Sequence, residues 1–419
     1  MDASFHRANR QKLLDMLPDG AIAVLFAGKA PRMSADSYYP FFASRNYLYL
    51  AGVDFEGFIL VLRKYGQAER ESLYILPREP MRERWTGSRY SAEDASRLSG
   101  VGDIRYVGAF ADDLQKEARS GEARELWLEL YKHSPDEPDD CAHLLAAGAR
   151  RQFPWLGVGN LQFYLRGLRT IKAPCEIAAM RRAMAVTRQG ILAMMRASRP
   201  GMYEYEYKAE YDYALMKNGV LSPGFPPIIS AGRNNFCIHY YSYAGQAMDG
   251  DMILNDVGAR WDNEVNDVSR GWPCNGSFTK EQAALYTAAL NTSNRLFAAI
   301  RPGMPMADVD ETVRRSCFAE LKQLGLLQSY DDIGRYVWHG GAHHIGYDVH
   351  DTVDSGIQSQ AMRPGMVFCV DVGIYCEEWG IGFRLEDNCL VTEQGCENLS
   401  AGIPRSIAEI ESAIGGADL

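Results

Sequence analysis

MVFCVDVGIYCEEWGIGFRLEDNCLVT, residues 366–392, consists of two apolar runs joined by a polar tip at Glu377 to Gly380. That pattern predicts a β-hairpin. Around a two-residue turn, directly opposed residues have odd sequence separation and their side chains share a face. Asp371 and Glu386 are 386 − 371 = 15 apart, so they form one opposed carboxylate pair. Upstream, DMILNDVGARWDNEVNDVSRGW, residues 251–272, repeats the device with Asp256 and Asp267, 267 − 256 = 11 apart. A turn at Trp261-Asp262 puts these two opposite each other, and a turn at Asp262-Asn263 makes them diagonal neighbours on one face. Either register brings the carboxylates within about 5–8 Å. On solvent-facing positions of two unrelated hairpins such pairs would be unremarkable. On strands rich in Val, Ile, Leu and Phe, like charges this close repel unless a cation lies between them. With a histidine added, the set suits Mn²⁺, Co²⁺, Fe²⁺ or Zn²⁺ better than a soft metal.

The histidine source is HGGAHHIGYDVHD, residues 339–351, which holds four of the eight histidines in the chain. His339 and His343 have i, i+4 spacing, but Gly340-Gly341 lies between them and there is no HExxH glutamate, which argues against a helical zinc pair. A loop-and-strand segment that delivers one imidazole to the carboxylates fits better. Its other histidines would then serve substrate contact or proton transfer.

The 419 residues suggest two domains or one large one, and 47% hydrophobic with 23% charged residues is the composition of a globular protein. A net charge of −10, with lysine and arginine spread along the chain, disfavours nucleic acid or an anionic membrane as partner. There is no run of eighteen apolar residues, and MDASFHRANRQKLLDML lacks the apolar core of a signal peptide, so a cytoplasmic location is expected. The nine cysteines are odd in number, scattered and never spaced CxxC, as reduced buried thiols would be. Buried-strand runs (AIAVLFAG, GFILVLRKY, ESLYILP) and the helix in RANRQKLLDMLPDG make the first part α/β. From Glu176 to Arg196 apolar residues recur at helical spacing until Pro200-Gly201, which places a domain boundary near residue 170. Beyond residue 220, helices alternate with hairpin-like strand pairs, an α+β arrangement. The RPGM at 199–202, 301–304 and 363–366 hints at an internal duplication.

Taken together, LNDVGA, NDVSRGWPCNGSFTKEQAALY, HGGAHHIGYDVHD, MRPGMVFCVDVGIY and FRLEDNCLVTEQGCENL resemble, in order and spacing, the dinuclear site of the pita-bread metallopeptidases. The Xaa-Pro group, aminopeptidase P and prolidase, is the most similar branch. SADSYYPFFASRNYLYLAGVDFEGFILVL and RTIKAPCEIAAMRRA resemble the aminopeptidase P type as well.

The resemblance implies an α+β chain: an N-terminal aminopeptidase P-like α/β domain over 1–170 and a pita-bread catalytic domain over 171–419. It implies metal-dependent hydrolysis of the Xaa-Pro bond, at the N-terminus of peptides or in dipeptides, by a hydroxide bridging two divalent ions. Mn²⁺ comes first among these ions, with Co²⁺, Zn²⁺ or Fe²⁺ as alternatives. Asp256 would bind one ion, Asp267 and Glu386 would bridge, and His343 would bind the other with help from Asp371. His239 and His350 resemble the substrate-contacting and proton-handling histidines. His339 would line the pocket, and Arg384 would hold the ligand cluster and contact substrate. The implied partners are a peptide with proline at its second position and further copies of the chain, in a homodimer or homotetramer. One position departs from the pattern. The family has Glu-Pro-Gly where this chain has Asp371-Val372-Gly373, which shortens a ligand and general base by one methylene, about 1.5 Å, on a scale where about 1 Å matters. A non-catalytic or weakened relative that binds peptide or a protein partner is the alternative this leaves open.

Overall fold

The computed structural model describes residues 1–351 and 361–415. The chain divides into two compact units, Met1–Leu168 and Arg169–Leu419.

In the first unit β1 (Ala21–Phe26) is an uninterrupted apolar run, buried along nearly its whole length. Such runs are what a strand covered on both faces requires. A short exposed hairpin, β2 (Arg32–Ser34) with β3 (Ser37–Tyr38), follows. The longer β4 (Ile59–Tyr65) and β5 (Ala68–Ile75) come next, then β6 (Asp103–Tyr106), β7 (Glu125–Leu128) and β8 (Gly157–Asn160). The sheet order is β6-β5-β4-β1-β7-β8, antiparallel through β1, β4 and β5 and parallel at β6, β7 and β8. Helices Ala3–Met16, Arg45–Ala51 and Cys141–Gln152 pack on it. This is the α/β unit that the strand and helix patterns predict.

The second unit opens with the long helix Pro174–Ala197. Proline opens the first turn, the Glu176 carboxylate accepts from the Ala173 N–H at 2.7 Å, and Ala179, Met180, Ala183 and Met184 turn inward. It packs against helix Glu204–Lys217. Next come β9 (Ile228–Ala231), β10 (Met252–Val257), the short β11 (Arg260–Trp261) and β12 (Glu264–Val265), and β13 (Val268–Pro273). Asp262 and Asn263 have φ of 49° and 73°, the left-handed pair of a type I′ turn that Asp and Asn tolerate best. The turn is therefore Asp262-Asn263. Asp256 pairs with Ser269, and Asp267 is its diagonal neighbour, the second of the two registers the sequence allows.

The other sheet is β14 (Ala342–His344), β15 (Val367–Cys376), β16 (Ile381–Val391) and β17 (Cys396–Asn398), in that order. Asp371 lies directly opposite Glu386. Every residue of β15 and β16 is buried, because β10 and β13 lie on β16 and helix Lys280–Ala299 packs against both long strands. Burial on both sides is what turns two hairpins into one site.

Candidate metal centre

The two hairpins bring Asp256, Asp267, Asp371 and Glu386 into one buried cluster. His343 reaches it from β14, with Nε2 3.2 Å from Glu386 Oε1 and 3.5 Å from Asp267 Oδ2. Arg384 donates from Nη2 to Asp256 Oδ2 at 2.8 Å and from Nη1 to the Tyr375 hydroxyl and the Ile238 carbonyl. With only 2% of its surface exposed, Arg384 is committed to holding the cluster rather than presented to solvent. Ser269, opposite Asp256 on β13, donates to Glu386 Oε2 at 2.8 Å.

Three of these carboxylates have an oxygen that is buried and without a hydrogen-bond partner among the described residues: Oδ1 of Asp256, Asp267 and Asp371. Buried polar atoms are nearly always partnered, so three bare acceptors in one cluster mark a place for a positive charge that the side chains do not supply. Burial and the neighbouring carboxylates push both Asp267 and Asp371 well above the carboxylate range. Burial acts in the same direction on Glu386, but hydrogen bonds from His343 and Ser269 overcome it and hold that group down, at about 2. On His343 burial acts downward and Glu386 outweighs it, so the imidazole is raised. Oxygen donors with one imidazole suit a divalent cation, and the residues present fit such an ion.

Around the cluster stand the remaining histidines of interest. The His339 Nδ1 lies 3.2 Å from Asp371 Oδ2, and its Nε2 lies 3.2 Å from the Tyr375 hydroxyl. Its approach depends on Gly373, where an added Cβ would come within 2.2 Å of the His339 ring. His350 stacks edge-on against His343 with ring centres 4.5 Å apart, on the exposed side. His239 is exposed beside Tyr241, on the segment that Arg384 grips through Ile238. His344, the neighbour of His343, points away into Phe368, and burial lowers it to about 4.

Several residues that sequence patterns did not single out help to build the centre. Asn388 donates to the Asp267 carbonyl at 2.6 Å and accepts from the Asp267 N–H at 3.3 Å, fixing one hairpin to the other. Cys369 lies fully buried on β15, two residues before Asp371, with its thiol among Asp267, His343 and Glu386. Burial and the Glu386 carboxylate push that thiol well up. Its only sequence signal was its parity with Asp371, which puts both on one face of the strand.

The chain was compared with known proteins. The sequence signature of metallopeptidase family M24 matches residues 178–393, and that of the aminopeptidase P N-terminal domain matches residues 6–127. An Xaa-Pro aminopeptidase of Haemophilus influenzae is 29% identical over 97% of this chain and 96% of its own length. Human Xaa-Pro aminopeptidase 3 is 30% identical, covering 90% of this chain and 78% of its own. Among solved structures, a Bacillus anthracis protein assigned as an aminopeptidase P superposes with a TM-score of 0.97 at 33% identity, over 100% of both chains. Escherichia coli aminopeptidase P with the inhibitor Pro-Leu gives 0.91 at 26% identity, over 99% and 98% of the two chains.

Proposed function

Since the chain belongs to metallopeptidase family M24 and carries an aminopeptidase P N-terminal domain, we propose that it is an Xaa-Pro aminopeptidase that uses divalent metal to release the first residue of peptides whose second residue is proline. The observation that carries this reading is the buried cluster of four carboxylates and His343, with three oxygens left bare. The names of full-length relatives support aminopeptidase over dipeptidase action.

In this reading Asp256, Asp267, His343, Asp371 and Glu386 would hold two divalent ions. Ions so held would supply acidity to a bound water and polarise the substrate carbonyl. Mn²⁺ is the ion we propose, on the strength of the oxygen-rich donor set; a Zn-substituted form is known for the Escherichia coli protein. Arg384 holds Asp256 in place through the 2.8 Å bond. The bond before proline carries no N–H, so a substrate there offers the site only its carbonyl and its apolar ring. His350 and His239 stand on the exposed side, with the half-buried His339 behind them, where N–H donors can meet the oxygen as it gains charge. Asp371, bare at Oδ1 and with Oδ2 3.2 Å from His339 Nδ1, would take the proton of the attacking water and pass it to the leaving proline nitrogen.

The neighbourhood is consistent with a cytoplasmic protein, since the nine cysteines are free thiols. Among the described residues no helix is long and apolar enough to cross a membrane. Assembly as a homodimer or homotetramer is proposed on the family likeness alone. The reading is tested by incubating purified protein with Xaa-Pro-Xaa and Xaa-Ala-Xaa peptides. Release of the first residue from the proline peptides only is expected, and peptide binding without any release would mean a non-catalytic relative.

A further inference from the structure

We propose that Cys369 is itself a ligand of the ion held by Asp267, His343 and Glu386, a sulfur donor added to the oxygen and nitrogen donors of that ion. The proposal rests on the metallopeptidase reading. Four donors, the Cys369 Sγ and one ligand atom each from Asp267, His343 and Glu386, all lie within 4.8 Å of one another. The strand register explains why. Cys369 is the direct cross-strand partner of His343 on one side and of Asn388 on the other, and it shares a strand face with Asp371.

Asp371 lies on the same face, with Oδ2 3.2 Å from His339 Nδ1 and Oδ1 bare. Asp267, only 4% exposed, leaves its Oδ1 bare. Asn388 donates from Nδ2 to the Cys369 sulfur at 3.3 Å, the kind of contact that supports a thiolate and orients it toward an ion. On binding, the ion takes the place of the thiol proton, which leaves to solvent. A donor set of one sulfur, one nitrogen and two oxygens is one that Zn²⁺ or Co²⁺ accepts more readily than Mn²⁺.

The experiment is a Co²⁺ titration of metal-free full-length protein, read by absorption, beside Cys369→Ser and Cys369→Ala. A thiolate-to-cobalt charge-transfer band in the near ultraviolet is expected in the natural protein. It should vanish in both variants while the visible bands of bound Co²⁺ persist. Zn²⁺ affinity should fall about tenfold or more in Cys369→Ser, and Mn²⁺ affinity should change less. Visible bands without the charge-transfer band in the natural protein, or a band that survives in both variants, overturns the Cys369 assignment and leaves the metallopeptidase reading standing. Failure of the natural protein to bind Co²⁺ at all overturns both. If one variant fails to fold, the other is read in its place, and a natural protein without the charge-transfer band overturns the assignment with no variant needed.

Discussion

Asp371 is where chemistry and local structure meet most tightly. Its carboxylate is the proposed proton carrier, and Asn in its place keeps the shape and removes the charge. Asp371→Asn is expected to lower turnover on Xaa-Pro peptides by about 100-fold or more, with an unchanged far-ultraviolet circular dichroism spectrum. A variant within a few-fold of the natural rate would remove Asp371 from the mechanism. The carboxylates of the centre were legible in the sequence, because odd separation within a hairpin is a property of antiparallel geometry and needs no tertiary information. His343 was legible only in part: the glycines around it excluded a helix, but its choice over its neighbour His344 came from the family resemblance. The structure distinguishes the two by orientation, His343 toward Glu386 and His344 toward Phe368. Cys369 was lost among nine cysteines expected to be buried thiols, of which Cys141, Cys175 and Cys237 are in fact exposed, and parity with Asp371 does not say that Asp267, His343 and Glu386 meet its sulfur.

At the level of elements, the centre exists because two hairpins are locked face to face, and Asn388 is the clamp. Its side chain serves the Asp267 backbone in both directions and also accepts from Asn266 Nδ2 at 3.2 Å. Asn388→Ala leaves buried backbone groups unpaired, which costs about 1–3 kcal/mol each. The expected result is a lower denaturation midpoint together with weaker metal binding. Loss of stability with metal affinity intact would show that the clamp does not position the ligands. The hairpin of β10 and β13 carries a second electrostatic load away from the metal cluster. Glu264, fully buried on β12, has both carboxylate oxygens without a hydrogen-bond partner among the described residues and faces Glu176. Burial and Glu176 raise Glu264 well above its ordinary value, and burial raises Glu176 too. An acid raised in the folded state contributes stability below its unfolded value of about 4.3 and loses it as pH rises through the folded value. Glu264→Gln removes that loss. The variant should gain melting temperature over the natural protein at pH 8, with a smaller gain at pH 5, and an equal difference at both would refute the assignment. The hairpins and their faces were readable from periodicity, but which of two turn registers is adopted was not. The left-handed angles of Asp262 and Asn263 decide that, and both residue pairs offered by the sequence could have formed the turn.

For the whole molecule, the proposed ligands all belong to the unit Arg169–Leu419, so the thermodynamic effect of metal should begin there. An ion that binds only the folded state stabilises it by about 2.7 kcal/mol at a concentration 100 times its Kd. Hydrogen exchange with and without metal is expected to show new protection in β10, β13, β15 and β16, and protection gained only in residues 1–168 would contradict the ligand set. The division into an α/β unit and a strand-pair unit was visible in the sequence because the hydrophobic period changes at the long helix Pro174–Ala197. The meeting of β10 and β13 with β16 was not, since it depends on packing between segments more than a hundred residues apart. The central claim is that this cluster is a working metal centre for Xaa-Pro bonds. Its most direct test is one preparation stripped by chelator, reloaded stepwise with Mn²⁺, Co²⁺ or Zn²⁺, and assayed at each step for bound ion and for cleavage of an Xaa-Pro peptide. Activity that is absent without metal and rises to a plateau at about two ions per chain is the predicted result. A fully loaded protein that leaves the peptide intact, or one that cleaves it equally well after chelation, would contradict the account.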